Sequence, residues 1–394
     1  MRIFLIVIDS FGIGAMPDAE LFGDTNSNTY ANVYNDTGVK LSNLISLGLN
    51  NIEGVRNLRT NNGRILTPIK APKATHARLS EKTFAKDTTA GHYEIAGLVM
   101  QRPYRIFKTF PQEIVNEIEK RAGIKFIGNE IASGTEIIQR LGNEHLKTRN
   151  PILYTSQDSV MQIAADTSVV PLEKLYKICE IAREIMTGDW SVGRIIARPF
   201  IHKNGKFTRT EDRRDYALQP PQETMLDTLF SNNIPTIGVG KISDLFCGKG
   251  ISKSYHTGNN KEGIETTIEL TKTAKNGLIF VNLVDTDMLY GHRNDVQGYA
   301  NALLYFDNKL PEIINNISGD DILIITADHG CDPTTSSTDH SREYVPLLIY
   351  GKNMPVIDMG TINGFDCISR FILKSFKLDT NSEIYDALKG VNNE

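Results

Sequence analysis

The sequence predicts an α/β fold, a doubly wound core sheet carrying an inserted smaller α+β domain. Three observations predict it. Short β-branched runs recur at 3–8, 235–239, 278–284, 321–326 and 344–350, and most are apolar throughout rather than alternating, as parallel strands buried on both faces require. Helical stretches at 221–230 and 296–310 separate some of them, giving the alternation of a wound sheet. The middle of the chain reads differently, and 394 residues with 40% hydrophobic content supply enough apolar material for a second unit.

The chain opens on Arg2-Ile3-Phe4-Leu5-Ile6-Val7-Ile8, which is too short to span a membrane and has no small-residue cleavage site, so it reads as a buried strand ending at Asp9. The core then divides into a first part, 1–100, and a second part, 222–394, around an insert at 101–221. Within the insert, Pro111 to Ala122 and Pro171 to Met186 read as amphipathic helices, the second opened by a proline suited to a first turn. Ser133-Gly134-Thr135-Glu136 has the capping-box pattern that starts a third helix, and strand-like runs at 151–155 and 194–200 accompany them.

Composition narrows the function. A formal charge of −4 argues against nucleic acid as a partner, so any anion site must be local. Cys179, Cys247, Cys331 and Cys367 show no CxxC spacing, which fits neither a zinc knuckle nor a disulfide framework and suits a reducing cytosol.

Four segments place chemistry-bearing groups after strands or in loops. Asp9 ends the first strand; Asp285-Thr286-Asp287 follows 278–284 and leads to Gly291-His292; Asp328-His329-Gly330 follows 321–326; Thr338-Asp339-His340 comes next. Carboxylates and three of the chain's eight histidines thus form the mixed oxygen and nitrogen set that suits Mn²⁺ or Zn²⁺. A single strand-end Asp is equally well explained as a helix cap; the joint occurrence is what points to metal. A hydroxyl nucleophile is available in Lys86-Asp87-Thr88-Thr89-Ala90-Gly91-His92-Tyr93-Glu94, which enters a helix. Cations would lower its pKa, and a helix amino terminus would hold phosphoryl oxygens. Gly12-Ile13-Gly14 after the first strand raises a dinucleotide-binding alternative, but the third glycine of that fingerprint is missing. A metal-stabilised binding module without turnover is a further alternative.

Val7 to Gly14 with Pro17-Asp18-Ala19, the Lys86-to-Glu94 segment, Asp287 with His292, Thr326-Ala327-Asp328-His329-Gly330 and Thr338-Asp339-His340 resemble, in order, the motifs of phosphopentomutases of the alkaline phosphatase superfamily. Ala132-Ser133-Gly134-Thr135-Glu136 and Gly193-Arg194-Ile195-Ile196-Ala197-Arg198-Pro199-Phe200 extend the resemblance through the insert. The resemblance implies an alkaline-phosphatase-like core with the insert as a cap domain, two Mn²⁺ ions, and an isomerase that moves phosphate between the 1- and 5-positions of ribose or 2-deoxyribose. It further implies a phosphothreonine enzyme primed by a sugar bisphosphate, working in nucleoside and pentose catabolism and salvage in the cytoplasm.

Carried over by position, Asp9, Asp328 and His329 would hold one metal, Asp287, His292 and His340 the other, and Thr88 would bridge them. Asp158, Arg194, Ile196, Arg209 and Lys241 would face the sugar phosphate, the arginines through paired hydrogen bonds. A cofactor-independent phosphoglycerate mutase or a phosphatase shares the two-metal core, and the insert motifs discriminate against both. Small sugar phosphates are the implied partners, with no nucleic acid and no membrane, and the oligomeric state is left open. Two positions depart from the family pattern: Cys331 stands where an asparagine is expected, and Ala90 where a hydroxyl residue is common. Neither replaces an implied metal ligand.

Overall fold

The computed structural model describes residues 1–100, 104–156, 159–378 and 380–390, so Asp158 lies outside the described residues. The chain divides into two compact units, Met1–Pro103 with Gln222–Glu394, and Tyr104–Pro221.

The larger unit is built on an eight-stranded sheet in the order Lys253–Tyr255, Thr236–Val239, Gly277–Leu283, Arg2–Ile8, Ile322–Thr326, Val345–Tyr350, Thr75–Ser80, Asp358–Asn363. The first five are mutually parallel. Ile3 to Ile8 are at most 1% exposed, which is why this strand is apolar at every position. The run at 344–350, expected to be parallel, is antiparallel to both of its neighbours. A parallel connection needs a crossover, usually helical. Residues 327–344 hold no helix, so the chain loops at the edge where it left the sheet and returns in the opposite direction.

That reversal determines what collects at one edge. Asp9, Asp285 to Asp287 and Asp328 follow the carboxyl ends of parallel strands, where ligands of such sheets sit. Val345–Tyr350 starts at the same edge, so His340 just before it arrives there too. Thr75–Ser80 runs antiparallel to Val345–Tyr350 and therefore along the central strands, delivering residues 81–88 to the same place. The sequence reading missed Thr75–Ser80 because His76 and Arg78 interrupt its apolar pattern.

Two helices of this unit differ from expectation. The first starts at Met225 rather than Pro221, because Thr224 and Asp227 form the capping box that opens it. The second was expected to stop at Leu310 before Pro311, yet it runs Val296–Asn316. A proline here leaves the carbonyl of Asp307 without its helical donor. Asn43 Nδ2 donates to that carbonyl at 2.8 Å instead, so the helix continues.

The smaller unit has a sheet ordered Ile127–Ile131, Ile152–Thr155, Val160–Asp166, Arg194–Lys203, Lys206–Arg209, with Arg214–Ala217 also paired to Arg194–Lys203. Helices Gln112–Ala122 and Leu172–Ile185 bury Ile114, Ile118, Leu175 and Ile178 against Met161, Ile163 and Ile195. Helix Gly134–Thr148 buries Ile137 and Ile138 with Ile152, Tyr154 and Phe200. The capping box expected at its start does not form: Ser133 Oγ pairs with Thr135 Oγ1 at 3.0 Å, and Glu136 turns to Arg140 one turn on. Among the described residues no helix is long and apolar enough to cross a membrane.

Candidate metal centre and nucleophile

Asp9 leaves the first strand into a sharp turn. Ser10 takes a φ of 68°, the left-handed region that costs a non-glycine residue energy, and the turn is held from outside. Ser10 N donates to Asp328 Oδ1 at 3.1 Å, Tyr299 Oη donates to the Ser10 carbonyl at 2.9 Å, and Asn282 Nδ2 donates to Asp9 Oδ2 at 3.0 Å. Asp287 sits in a single π-helical turn, Thr286–Tyr290, followed by the short turn Gly291–Arg293 that carries His292.

Donor atoms of Asp9, Asp328 and His329 lie within 4.8 Å of one another, as do those of Asp287, His329 and His340, and those of Asp287, His292 and Cys331. The six residues singled out as metal-ligand candidates are thus at one edge, linked through His329 and Asp287. His329 Nε2 is 3.5 Å from Asp9 Oδ1 and 3.4 Å from Asp328 Oδ2; Asp287 faces His292 through Oδ2 at 3.4 Å and His340 through Oδ1 at 3.3 Å. Cys331, set aside in the sequence as a departure that replaces no ligand, stands inside the third group.

Thr88 begins the helix Thr88–Ile95, whose N-cap Asp87 accepts from Ala90 N at 3.0 Å. Its Oγ1 is 3.1 Å from His329 Nε2, so the hydroxyl lies against the cluster with helix N–H groups behind it. Gly91 makes this approach possible, because a Cβ there would collide with the Asp328 carbonyl.

The charges do not balance within the chain. Burial raises the Asp9 pKa well above the usual carboxylate range, and Asp328 and Asp287 push it further, while Asn282 and Lys241 oppose them. Burial also works against the Asp328 and Asp287 carboxylates, but neighbouring imidazoles win, His329 and His92 holding Asp328 at about 2 and His340 and His292 holding Asp287 low. Burial lowers the His329 pKa and opposes that of His340, yet Asp287 lifts His340 to about 9. Asp9 Oδ1, Asp287 Oδ1 and His340 Nε2 are buried without a hydrogen bond. Buried polar atoms normally have partners, and orphaned carboxylate oxygens facing imidazole nitrogens are what a divalent cation satisfies. The residues therefore fit a metal.

The sequence reading missed residues that hold this arrangement. His92 Nδ1 lies 3.1 Å from Asp328 Oδ2 and 2.9 Å from the Thr88 carbonyl, tying nucleophile helix to ligand. Arg342, 2% exposed, pairs with Asp18 at 3.0 Å and Glu81 at 2.6 Å and donates to the carbonyls of Glu81, Thr83 and Ala85, anchoring the segment that leads to Thr88. Buried Glu343 accepts from Gly14 N, Thr29 N and Ser341 Oγ, joining the turn after Asp9 to the approach of His340. Charged residues directly after Thr338-Asp339-His340 and immediately before a buried strand were the available signal.

Of the substrate-contact candidates, Lys241 follows the Thr236–Val239 strand in the larger unit, close enough to lower the Asp9 pKa. In the smaller unit Arg194 faces Asp215 at 3.5 Å, Ile196 is buried in the same strand, and Arg209 lies against the first turn of Gly134–Thr148 beside Tyr154.

An αβ sheet with a carboxylate and imidazole cluster at its carboxyl edge defines a class, and the family model of the Metalloenzyme superfamily matches residues 1–380. The chain is 54% identical to a phosphopentomutase of Caldanaerobacter subterraneus subsp. tengcongensis over 90% of this chain and 88% of that one. It is 48% identical to a phosphopentomutase of Clostridium kluyveri, covering 96% of each chain, and 48% identical to one of Acetivibrio thermocellus, covering 97% of each. The chain belongs to the phosphopentomutase family of this metal-binding superfamily.

Proposed function

We propose that this enzyme, an isomerase interconverting pentose phosphates, moves the phosphoryl group between the 1- and 5-positions of ribose or 2-deoxyribose by way of Thr88. The observation that carries the reading is the Thr88 hydroxyl at a helix amino terminus, 3.1 Å from His329 Nε2 in the cluster of buried carboxylates and imidazoles. Asp9, Asp328 and His329 would hold one Mn²⁺, and Asp287, His292 and His340 a second. Two such ions, when bound, neutralise phosphate charge and lower the pKa of the hydroxyl.

The chain's own groups do the remaining work. Thr88 carries the phosphoryl group as a phosphothreonine and donates it to the sugar monophosphate. The resulting 1,5-bisphosphate turns round and returns its other phosphoryl group to Thr88, and the same bisphosphate primes unmodified enzyme. Backbone N–H groups of the first turn of Thr88–Ile95 bind the transferred oxygens. Lys241, Arg194 and Arg209 supply charge to the sugar phosphate, with Asp158 and Ile196 as its further contacts. The insert at 101–221 serves as a cap that keeps water from the phosphothreonine. The setting is nucleoside salvage in the cytoplasm.

Phosphorus NMR of ribose 5-phosphate with enzyme, Mn²⁺ and a trace of bisphosphate tests this reading. Growth of the 1-phosphate signal without matching inorganic phosphate is expected. Inorganic phosphate as the sole product would make the protein a phosphatase instead.

A further inference from the structure

Cys331 is a residue the phosphoryl-transfer reading does not use. Its thiol is 1% exposed, and Sγ stands within 4.8 Å of a donor atom of Asp287 and one of His292. His292 Nε2 is 3.4 Å from Asp287 Oδ2, while Asp287 Oδ1 faces His340 Nε2 at 3.3 Å, both of these last two atoms buried without a hydrogen bond. Cys331 Sγ itself makes a long contact, 3.6 Å, to the Asp339 carbonyl. The backbone fixes its place, since Cys331 N donates to the Ser10 carbonyl at 3.1 Å, and Gly291 packs so closely that a Cβ there would come within 2.8 Å of Sγ. The thiol is held beside the turn after Asp9, in a space that a side chain at position 291 would occupy.

A carboxylate, an imidazole and a sulfur around one point form a mixed hard and soft donor set, and sulfur shifts preference from Mn²⁺ toward Zn²⁺, Cd²⁺ and Co²⁺. We infer that Cys331 Sγ is a donor to the cation held by Asp287 and His292, giving this position an affinity for thiophilic divalent cations that an oxygen and nitrogen set lacks. As the metal–sulfur bond forms, the S–H bond breaks and its proton passes to solvent, one proton per thiolate. The inference rests on the reading of Asp287 and His292 as metal ligands.

Absorption spectroscopy of the full chain loaded with Co²⁺ separates the two ideas. Visible d–d bands report a bound cation; a near-ultraviolet sulfur-to-cobalt charge-transfer band reports the thiolate. The charge-transfer band is expected in the unmodified chain and in Cys247→Ala, and its loss is expected in Cys331→Ala, with Cys331→Ser as a second variant should the alanine form fold poorly. Cd²⁺ affinity should fall roughly tenfold or more in those variants, with Mn²⁺ affinity little changed. Visible bands with the same near-ultraviolet spectrum in the unmodified chain and both Cys331 variants would overturn the role of Cys331 and leave the metal reading standing. No Co²⁺ bands at all would remove the metal reading and this inference with it.

Discussion

Asp9, Asp287 and Asp328 converge at one edge, where imidazole neighbours keep Asp287 and Asp328 ionised while burial and those two carboxylates push the Asp9 pKa up. The same edge is tied to the rest of the fold by Arg342, whose buried guanidinium faces Asp18 and Glu81. Arg342→Met keeps the stem and removes the charge, leaving Glu81 buried and unpaired. A loss of about 3–5 kcal/mol in denaturant unfolding is expected, and a loss below about 1 kcal/mol would contradict the anchoring role. Away from the site, burial disfavours the Asp321 carboxylate, but Arg2 and Ser318 outweigh it and hold its pKa well below the usual range. A folded pKa below the unfolded value of about 3.9 means that the pair's stabilisation is complete above that pH and is lost as pH falls through the folded pKa. Asp321→Asn should therefore lower stability at neutral pH and flatten the loss below about pH 4; an unchanged acid limb would count against it. Ligand candidates were legible at this scale because Asp and His after apolar runs stand out. Arg342, Glu343 and His92 were not, since most of their partners lie 236 to 329 positions away, and one sequence does not reveal which buried charge meets which.

The elements explain how distant residues reach one edge. The parallel strands could be read from uninterrupted apolar runs, but the direction of Val345–Tyr350 could not, because period and composition are the same for either direction. Direction was set by the helix-free connection before it. Likewise Val296–Asn316 outlasts Pro311 through a hydrogen bond from Asn43, a partner 264 residues away that no local rule contains. The helix Thr88–Ile95 depends on a third tertiary fact, the close passage of Gly91 over the Asp328 carbonyl. Gly91→Ala should push this helix outward, costing about 1–3 kcal/mol and weakening Mn²⁺ binding in calorimetric titration. Unaltered stability and affinity would show that the contact has slack.

For the molecule as a whole, the chain divides into two compact units, with the ligand candidates and Thr88 in the larger one. Stripping divalent cations with a chelator should lower the unfolding temperature, because the orphaned donor atoms lose the ion that satisfies them. Adding Mn²⁺ to about a hundred times its Kd should restore about 2.7 kcal/mol per independent site. No shift in a calorimetric scan would separate metal binding from folding. Joining the core ends in place of 101–221 should turn transfer into slow hydrolysis, read from inorganic phosphate released from ribose 5-phosphate. The central claim is that one threonine carries the phosphoryl group between substrates. Priming the Mn²⁺-loaded chain with ribose 1,5-bisphosphate, digesting it and locating the phosphate by mass spectrometry tests that directly: a single phosphoryl group on Thr88 is the predicted result, and phosphate on Thr89 or Ser10 would contradict it.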